Sequence, residues 1–206
     1  MKFLLGLLCL LIAGTSQAGP GREALDHFMS ELTTLEARFE QSVLDTEHSR
    51  QGVFYGTFQL KRPDRFRWDY MTPERKQIIA DGRDLWIVDI ELNQITQHYQ
   101  KLALRNTPAT VLLSNEPLEK TFEVVELGEK LEMQWVELLP LDKDSDIVRI
   151  LLAFKGNNLL RLELTDNFGQ ISRFSFFEIK RNPELPDDQF DYEPPDGWDV
   201  FSADIG

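Results

Sequence analysis

Gly56-Thr57-Phe58-Gln59-Leu60-Lys61-Arg62-Pro63-Asp64-Arg65-Phe66-Arg67-Trp68-Asp69-Tyr70 reads as a strand, a tight turn and a second strand. Phe54, Phe58 and Leu60 share one parity, so they face one side of a sheet. Pro63 presets φ for the second position of a turn, and Asp64 suits the third. Phe66, Trp68 and Tyr70 then alternate with Arg65, Arg67 and Asp69, which separates an aromatic face from a charged one. Arg62 has the parity of Phe58 and Leu60. An extended strand would turn its guanidinium toward the apolar side, where a charge is costly without partners.

The pattern around this hairpin is mostly strand. Leu25, Phe28, Met29, Leu32 and Leu35 recur at helical spacing and predict one amphipathic helix, whose end overlaps the period-two run Leu35, Ala37, Phe39. Strands are predicted over 53–60, 65–70, 77–80, 84–89, 94–99, 122–127, 131–138, 146–154, 159–165 and 171–180. Asp81-Gly82 is a hairpin signal, and further turns fall at Gly128, Lys155-Gly156-Asn157 and Asp166-Asn167-Phe168-Gly169. Many short strands joined by hairpin turns indicate an antiparallel meander. One insert interrupts it: Arg105-Asn106-Thr107-Pro108 opens a short apolar helix through Ser114, with Thr107 as N-cap and Pro108 at the first turn. Leu102, Leu104, Val111, Leu112 and Leu113 make the insert apolar, as a cover over the open side of a sheet would be. The tail 183–206, rich in Pro and Asp, predicts a closing strand at 190–192 and a loose end.

Residues 1–18 have the form of a cleaved secretory signal: Lys2, an apolar run over 3–13, and the small-x-small site Ser16-Gln17-Ala18. The run is too short for a membrane span. Leu8 before Cys9, within a continuing apolar run, does not fit a lipidation signal. Cys9 is the only cysteine and would leave with the leader, so the domain expected over 19–206 has no disulfide or cysteine metal site. The formal charge is −13, and losing Lys2 makes it one unit more negative. That balance argues against nucleic acid and anionic membrane surfaces.

Catalytic constellations are weak. His27, His48 and His98 lie on different elements without metal-ligand spacing, and no nucleophile elbow, HExxH or phosphate loop occurs. Asp142, Asp144 and Asp146 lack the glycine and terminal glutamate of a calcium loop. Lys61, Arg65 and Arg67 fit a solvated strand face or a small basic contact. The chain instead holds 14 Phe and 4 Trp. Over 146–154, Ile147 and Leu151 take one side and Val148, Ile150, Leu152 and Phe154 the other; Leu160, Leu162 and Leu164 line one face of the next strand. Either both sheet faces are covered or the concave face holds something apolar, and composition alone favours an ordinary core.

Several motifs in order resemble the family of periplasmic outer-membrane lipoprotein carriers, LolA. They are the run 56–68, Ala80-Asp81-Gly82-Arg83-Asp84-Leu85-Trp86, Asn106-Thr107-Pro108, Asp166-Asn167-Phe168-Gly169-Gln170, and Phe190 with Pro194-Pro195-Asp196-Gly197 and Asp199-Val200. The resemblance implies a mainly β fold with an α lid: an incomplete, half-open antiparallel β-barrel covered by helices, with an apolar cavity between. It implies a periplasmic monomeric shuttle without cofactor, metal or catalysis. Its partners would be acylated lipoproteins, an inner-membrane lipoprotein-releasing ABC transporter and an outer-membrane receptor lipoprotein of the LolB type. Carried over residue by residue, Arg62 becomes the latch that bonds lid carbonyls. The alternative for Arg62 is a structural arginine that closes the turn. Phe54, Phe58, Leu60, Phe66, Trp68, Trp86, Leu104, Leu112 and Leu113 are the candidate residues of the acyl cavity, with plain core packing the alternative for each. Phe66 flanks the turn at the expected rim and has a family counterpart. The alternatives are an exported binding protein for another lipid or a hydrophobic peptide, and a lipid-active enzyme assembled from scattered residues.

Overall fold

The computed structural model describes residues 19–104, 108–113 and 116–203. Residues 1–18, expected to be a leader, the Arg105-Asn106-Thr107 approach to the short helix and Ser114 at its end lie outside those residues. Helix α1 (Pro20–Glu31) precedes strands β1 (Thr34–Leu44), β2 (Arg50–Lys61), β3 (Arg65–Thr72), β4 (Lys76–Asp81), β5 (Asp84–Asp89) and β6 (Gln94–Tyr99). The short helices α2 (Gln100–Ala103) and α3 (Pro108–Leu113) follow. Strands β7 (Phe122–Lys130), β8 (Met133–Pro140), β9 (Ile147–Lys155), β10 (Asn158–Asp166), β11 (Ile171–Arg181) and β12 (Asp199–Ser202) complete the chain. All twelve strands form one sheet in the order β12-β6-β5-β4-β3-β2-β1-β11-β10-β9-β8-β7. The sheet curls without closing, so β12 and β7 are its edges, and the helices cover its concave side. This is an open β-barrel with a helical lid. One pairing departs from the antiparallel expectation: β12 runs parallel to β6, with Val200 beside Ile95.

The hairpin over 56–70 forms with Lys61 opposite Arg65, Leu60 opposite Phe66 and Phe58 opposite Trp68. Its loop is Arg62-Pro63-Asp64, with a cis Arg62–Pro63 peptide and Asp64 at φ 65°, rather than a turn with Pro63 in second place. Aspartate tolerates this left-handed conformation better than most residues. The helix ends at Glu31, and Leu35 belongs to β1, because Leu32 already has extended backbone.

Three bulges change faces that strict alternation misassigns. In β9, Thr165 pairs with Arg149 and Asp166 with Ile147, which leaves Val148 as the extra residue. Ile147 therefore joins Ile150, Leu152 and Phe154 in the core, while Val148 is 51% exposed. In β10 the extra residue is Leu160, so Leu159, not Leu160, is buried with Leu162. In β7 it is Leu127, beside Gly128 at φ 75°. The turn expected at Gly128 lies instead at Leu131-Glu132, both at positive φ, between paired Lys130 and Met133.

The main core lies between lid and sheet and includes Leu25 and Phe28 of α1, Leu112 and Leu113 of α3, and Phe39, Phe58, Leu60, Phe154 and Phe176 of the strands. A second cluster of Ile79, Trp86, Val88 and Ile95 occupies the other face of β4–β6, with Tyr192 and Trp198 packed on it. The C-terminal segment thus covers the convex face, and that is why these strands are apolar on both sides. Residues 190–192 are not a strand. Phe190 follows a 3-10 turn over Asp187–Gln189 and is fully buried, and the closing strand is β12.

Candidate functional site

Arg62 stands where β2 runs out, one residue past the last paired position on that strand. Its backbone N–H donates to the Thr33 carbonyl at 2.8 Å, which sets the direction of the side chain. The guanidinium lies under the lid. Nε donates to the carbonyl of Leu112 in α3 at 2.9 Å. Nη1 donates to the carbonyls of Met29 at 2.6 Å, Phe28 at 3.2 Å and Leu32 at 3.3 Å. Nη2 approaches Met29 Sδ at 3.6 Å, and the group sits 5.3 Å over the Phe28 ring.

These acceptors have a common origin. Phe28, Met29 and Leu32 lie at the C-terminal end of α1, and Leu112 lies at that of α3. The last four carbonyls of a helix lack partners within it, and they form the negative end of its dipole. A forked five-donor cation can satisfy several of them at once. No carboxylate pairs with Arg62 among the described residues. Burial pulls the guanidinium down from its usual range to about 10, and nearby Arg181 adds repulsion. It therefore stays charged at neutral pH, held chiefly by carbonyl dipoles.

The other end of α1 is fastened differently. The Glu126 carboxylate of β7 accepts from the backbone N–H groups of Gly21 at 2.9 Å and Arg22 at 2.7 Å. A side chain from a distant strand thus caps the helix start, where a negative group suits the dipole. Gly21 leaves room for it, since a Cβ there would lie 2.8 Å from Glu126 Oε1.

Of the residues expected to wall a cavity, Phe58, Leu60, Phe66, Trp68, Leu112 and Leu113 come together in the main core, and Leu104 packs on its margin. Phe58 and Trp68 have ring centroids 4.5 Å apart. Phe66 is only 3% exposed, so it is an enclosed residue and not a rim residue. Phe54 lies further along β2, edge-on to Tyr70 at 6.1 Å, and lines a small opening of about 240 Å³ with Gln41, Val43 and Ile78. Tyr70 donates its hydroxyl to Gln41 Oε1 at 2.9 Å, and burial pushes its phenol well above the usual range. Trp86 does not join this group. It lies on the convex face, 5.5 Å from Tyr192, with Nε1 donating to Asp81 Oδ2 at 2.9 Å. Its parity is opposite to that of Leu85, which is the β5 residue that reaches the main core.

Phe28, Phe39, Phe154, Phe174 and Phe176 are enclosed in the same core, and none is among the residues expected to wall the cavity. Phe39 meets Trp68 at 5.3 Å, and Trp68 meets Phe174 at 4.9 Å. Their alternation within β1 and β11 is visible in the sequence, but their meeting depends on the β1–β11 register, in which Phe39 faces Phe176. Lys61 and Arg65 are not a free basic contact. Both pair with Asp187, at 2.5 and 3.0 Å, and help to hold the C-terminal segment. Beside the lid opens a cleft of about 800 Å³ lined by Asp64, Gln100, Leu104, Leu113, Thr121 and Leu141. Among the described residues, no group of three or more His, Cys, Asp or Glu could hold a metal ion, and no helix is long and apolar enough to cross a membrane.

The family described as "Outer membrane lipoprotein carrier protein LolA" matches residues 30–193. An outer-membrane lipoprotein carrier protein of Nitrosospira multiformis is 37% identical over 202 residues, 98% of this chain and 97% of that protein. One from Chromobacterium violaceum is 34% identical over 208 residues, 99% and 100% of the two chains. Among solved structures, an uncharacterized conserved protein from Thermus thermophilus has a TM-score of 0.56 at 15% identity, over 90% of this chain and 100% of that one, a likeness of fold alone. The near full-length identity, together with the lidded open barrel, places the chain in the LolA family of outer-membrane lipoprotein carriers.

Proposed function

We propose that this chain carries lipoproteins by sheltering their acyl chains between lid and sheet. Burial of one methylene group contributes about 0.8 kcal/mol, so a long acyl chain gains on the order of 10 kcal/mol. A carrier must therefore weaken its own hold in order to let go. A lid with a stable closed form does this, because closure competes with ligand and lowers apparent affinity. The observation that carries the reading is Arg62, which joins the β2–β3 hairpin to both α1 and α3 through bonds to backbone carbonyls. Such bonds are made on closing and broken on opening. Arg62 is then the latch. Phe58, Leu60, Phe66, Trp68, Leu104, Leu112 and Leu113 are the surface that acyl chains meet, and the cleft at Leu104 and Leu113 is the entrance.

Export, location and partners follow from the leader and the family. Residues 1–18 are removed on export, and 19–206 work as one monomeric unit in the periplasm. Cargo arrives from an inner-membrane lipoprotein-releasing ABC transporter and departs to a LolB-type receptor lipoprotein. The transfer makes and breaks no covalent bond, so the chain acts as a chaperone and not as an enzyme. The test is to isolate the protein from a periplasmic fraction and identify what comes with it by mass spectrometry. Intact acylated lipoproteins are the expected companions. Free lipids or unacylated peptides alone would shift the assignment to another binding function, and hydrolysed acyl products would shift it to an enzyme.

A further inference from the structure

Trp68 presents a polar atom that nothing in the closed form uses. Its side chain is nine-tenths buried at 9% exposure, and among the described residues Nε1 has no hydrogen-bond partner. Two other indoles behave differently: Trp86 donates to Asp81 and Trp135 to the Lys130 carbonyl. Buried donors are nearly always satisfied, and an orphan within a site calls for a reason. Around Trp68 stand the rings of Phe58 at 4.5 Å, Phe174 at 4.9 Å and Phe39 at 5.3 Å. Ring faces are weak acceptors and do not replace an oxygen.

The position of Trp68 gives that reason. Along the paired strands, Arg62 is followed inward by Leu60 with Phe66, then Phe58 with Trp68, then Gly56 with Tyr70. Beyond them Phe54 and Tyr70 line the opening of about 240 Å³ at the far end of the same face. A chain that entered at the latch would pass Trp68 partway, with apolar surface still ahead for its tail. An acyl chain carries one polar group, its carbonyl, which has an acceptor oxygen and no donor. We propose that the Trp68 indole N–H is the donor for an acyl carbonyl of the cargo, and that it makes the pocket selective for acyl chains over alkyl chains. The proposal rests on the carrier reading above.

The probes are two glycerol lipids of equal chain length, a monoacylglycerol and its alkyl ether, which lacks the carbonyl. Binding is followed by displacement of an environment-sensitive dye from the wild-type protein and from Trp68→Phe, which keeps an aromatic ring and removes the N–H. The wild type is expected to prefer the ester about three- to tenfold, the range of one net hydrogen bond, and the variant to bind both alike. An equal ester-to-ether ratio in both proteins overturns the donor role and leaves the carrier reading standing. Failure of the wild type to bind either lipid overturns both. A second measurement needs no change at Trp68. In an amide-correlation spectrum of the otherwise native chain, the four indole signals are assigned with Trp86→Phe, Trp135→Phe and Trp198→Phe. The Trp68 signal should move downfield with the ester and not with the ether; identical movement with both lipids contradicts the proposal.

Discussion

Arg62 is a charge that the fold buries without a counter-charge among the described residues, and its partners explain why this is tolerated. The carbonyls of Met29, Leu32 and Leu112 that it meets are ones that a helix end leaves unsatisfied. Bonds from a charged donor are worth roughly 1.5–3 kcal/mol each, and desolvation of the guanidinium offsets part of this. The balance suits a lid that closes but also opens. Arg62→Leu should still accept lipoprotein but hand it on about tenfold or more slowly, since closure then competes weakly with ligand. Transfer to receptor, followed by time course, checks this, and normal delivery would remove the latch from the mechanism. The pH dependence has a definite sign. The folded-state value of Arg62 lies below its ordinary one, so any gain in stability from losing the proton appears only above pH about 10. Between about pH 6 and pH 9 the group is charged folded or unfolded. Its share in lid closure should be constant there, and acyl release measured across that range should not follow its titration.

Elements are placed by contacts that no single element contains. α1 is held at both ends by residues far along the chain, Glu126 at its start and Arg62 at its finish. Glu126→Ala should cost about 1 kcal/mol, as loss of a helix cap does, and should speed hydrogen exchange at the Gly21 and Arg22 amides. Unchanged exchange at those two amides would show that the cap contributes nothing. In β2, Gly56 is needed for closeness. A Cβ there would lie 1.9 Å from the Asp69 carbonyl oxygen and 2.8 Å from Phe39 Cε1. Gly56→Ala should therefore destabilise the fold by about 2–3 kcal/mol, read from denaturant unfolding. The same crowding lets Phe39 lie against Trp68 and Tyr70, so this one glycine brings β1 aromatics to the β3 face.

At the scale of the molecule, one sheet serves two cores. Its concave side meets the lid, and its convex side over β4–β6 is sealed by the C-terminal segment through Tyr192, Trp198 and the pairing of Lys61 and Arg65 with Asp187. Trp86 belongs to the seal. Trp86→Ala should lower stability by about 3–5 kcal/mol yet leave acyl affinity unchanged in the protein that remains folded. Denaturant unfolding beside lipid displacement separates the two effects, and a large loss of affinity in folded protein would return Trp86 to the cavity. The meander, the hairpin at Arg62-Pro63-Asp64, the helix before it and the apolar insert at Leu112 and Leu113 were all legible in the sequence. Period, turn chemistry and capping are local, and a residue's neighbours in the chain reveal them. What escaped was whatever depends on a partner strand or segment: the faces of Val148 and Leu160, the parallel β12, the convex placement of Trp86 and the aromatic group around Trp68. One bulge inverts every later side chain in a strand, and its position is set by the partner's register. The amino-acid order by itself determined most of the elements, the family and the presence of a cation beside an apolar face. Only the tertiary structure decided what that cation grips and which aromatics meet beneath the lid, because packing joins carbonyls and rings that lie tens to more than a hundred residues apart.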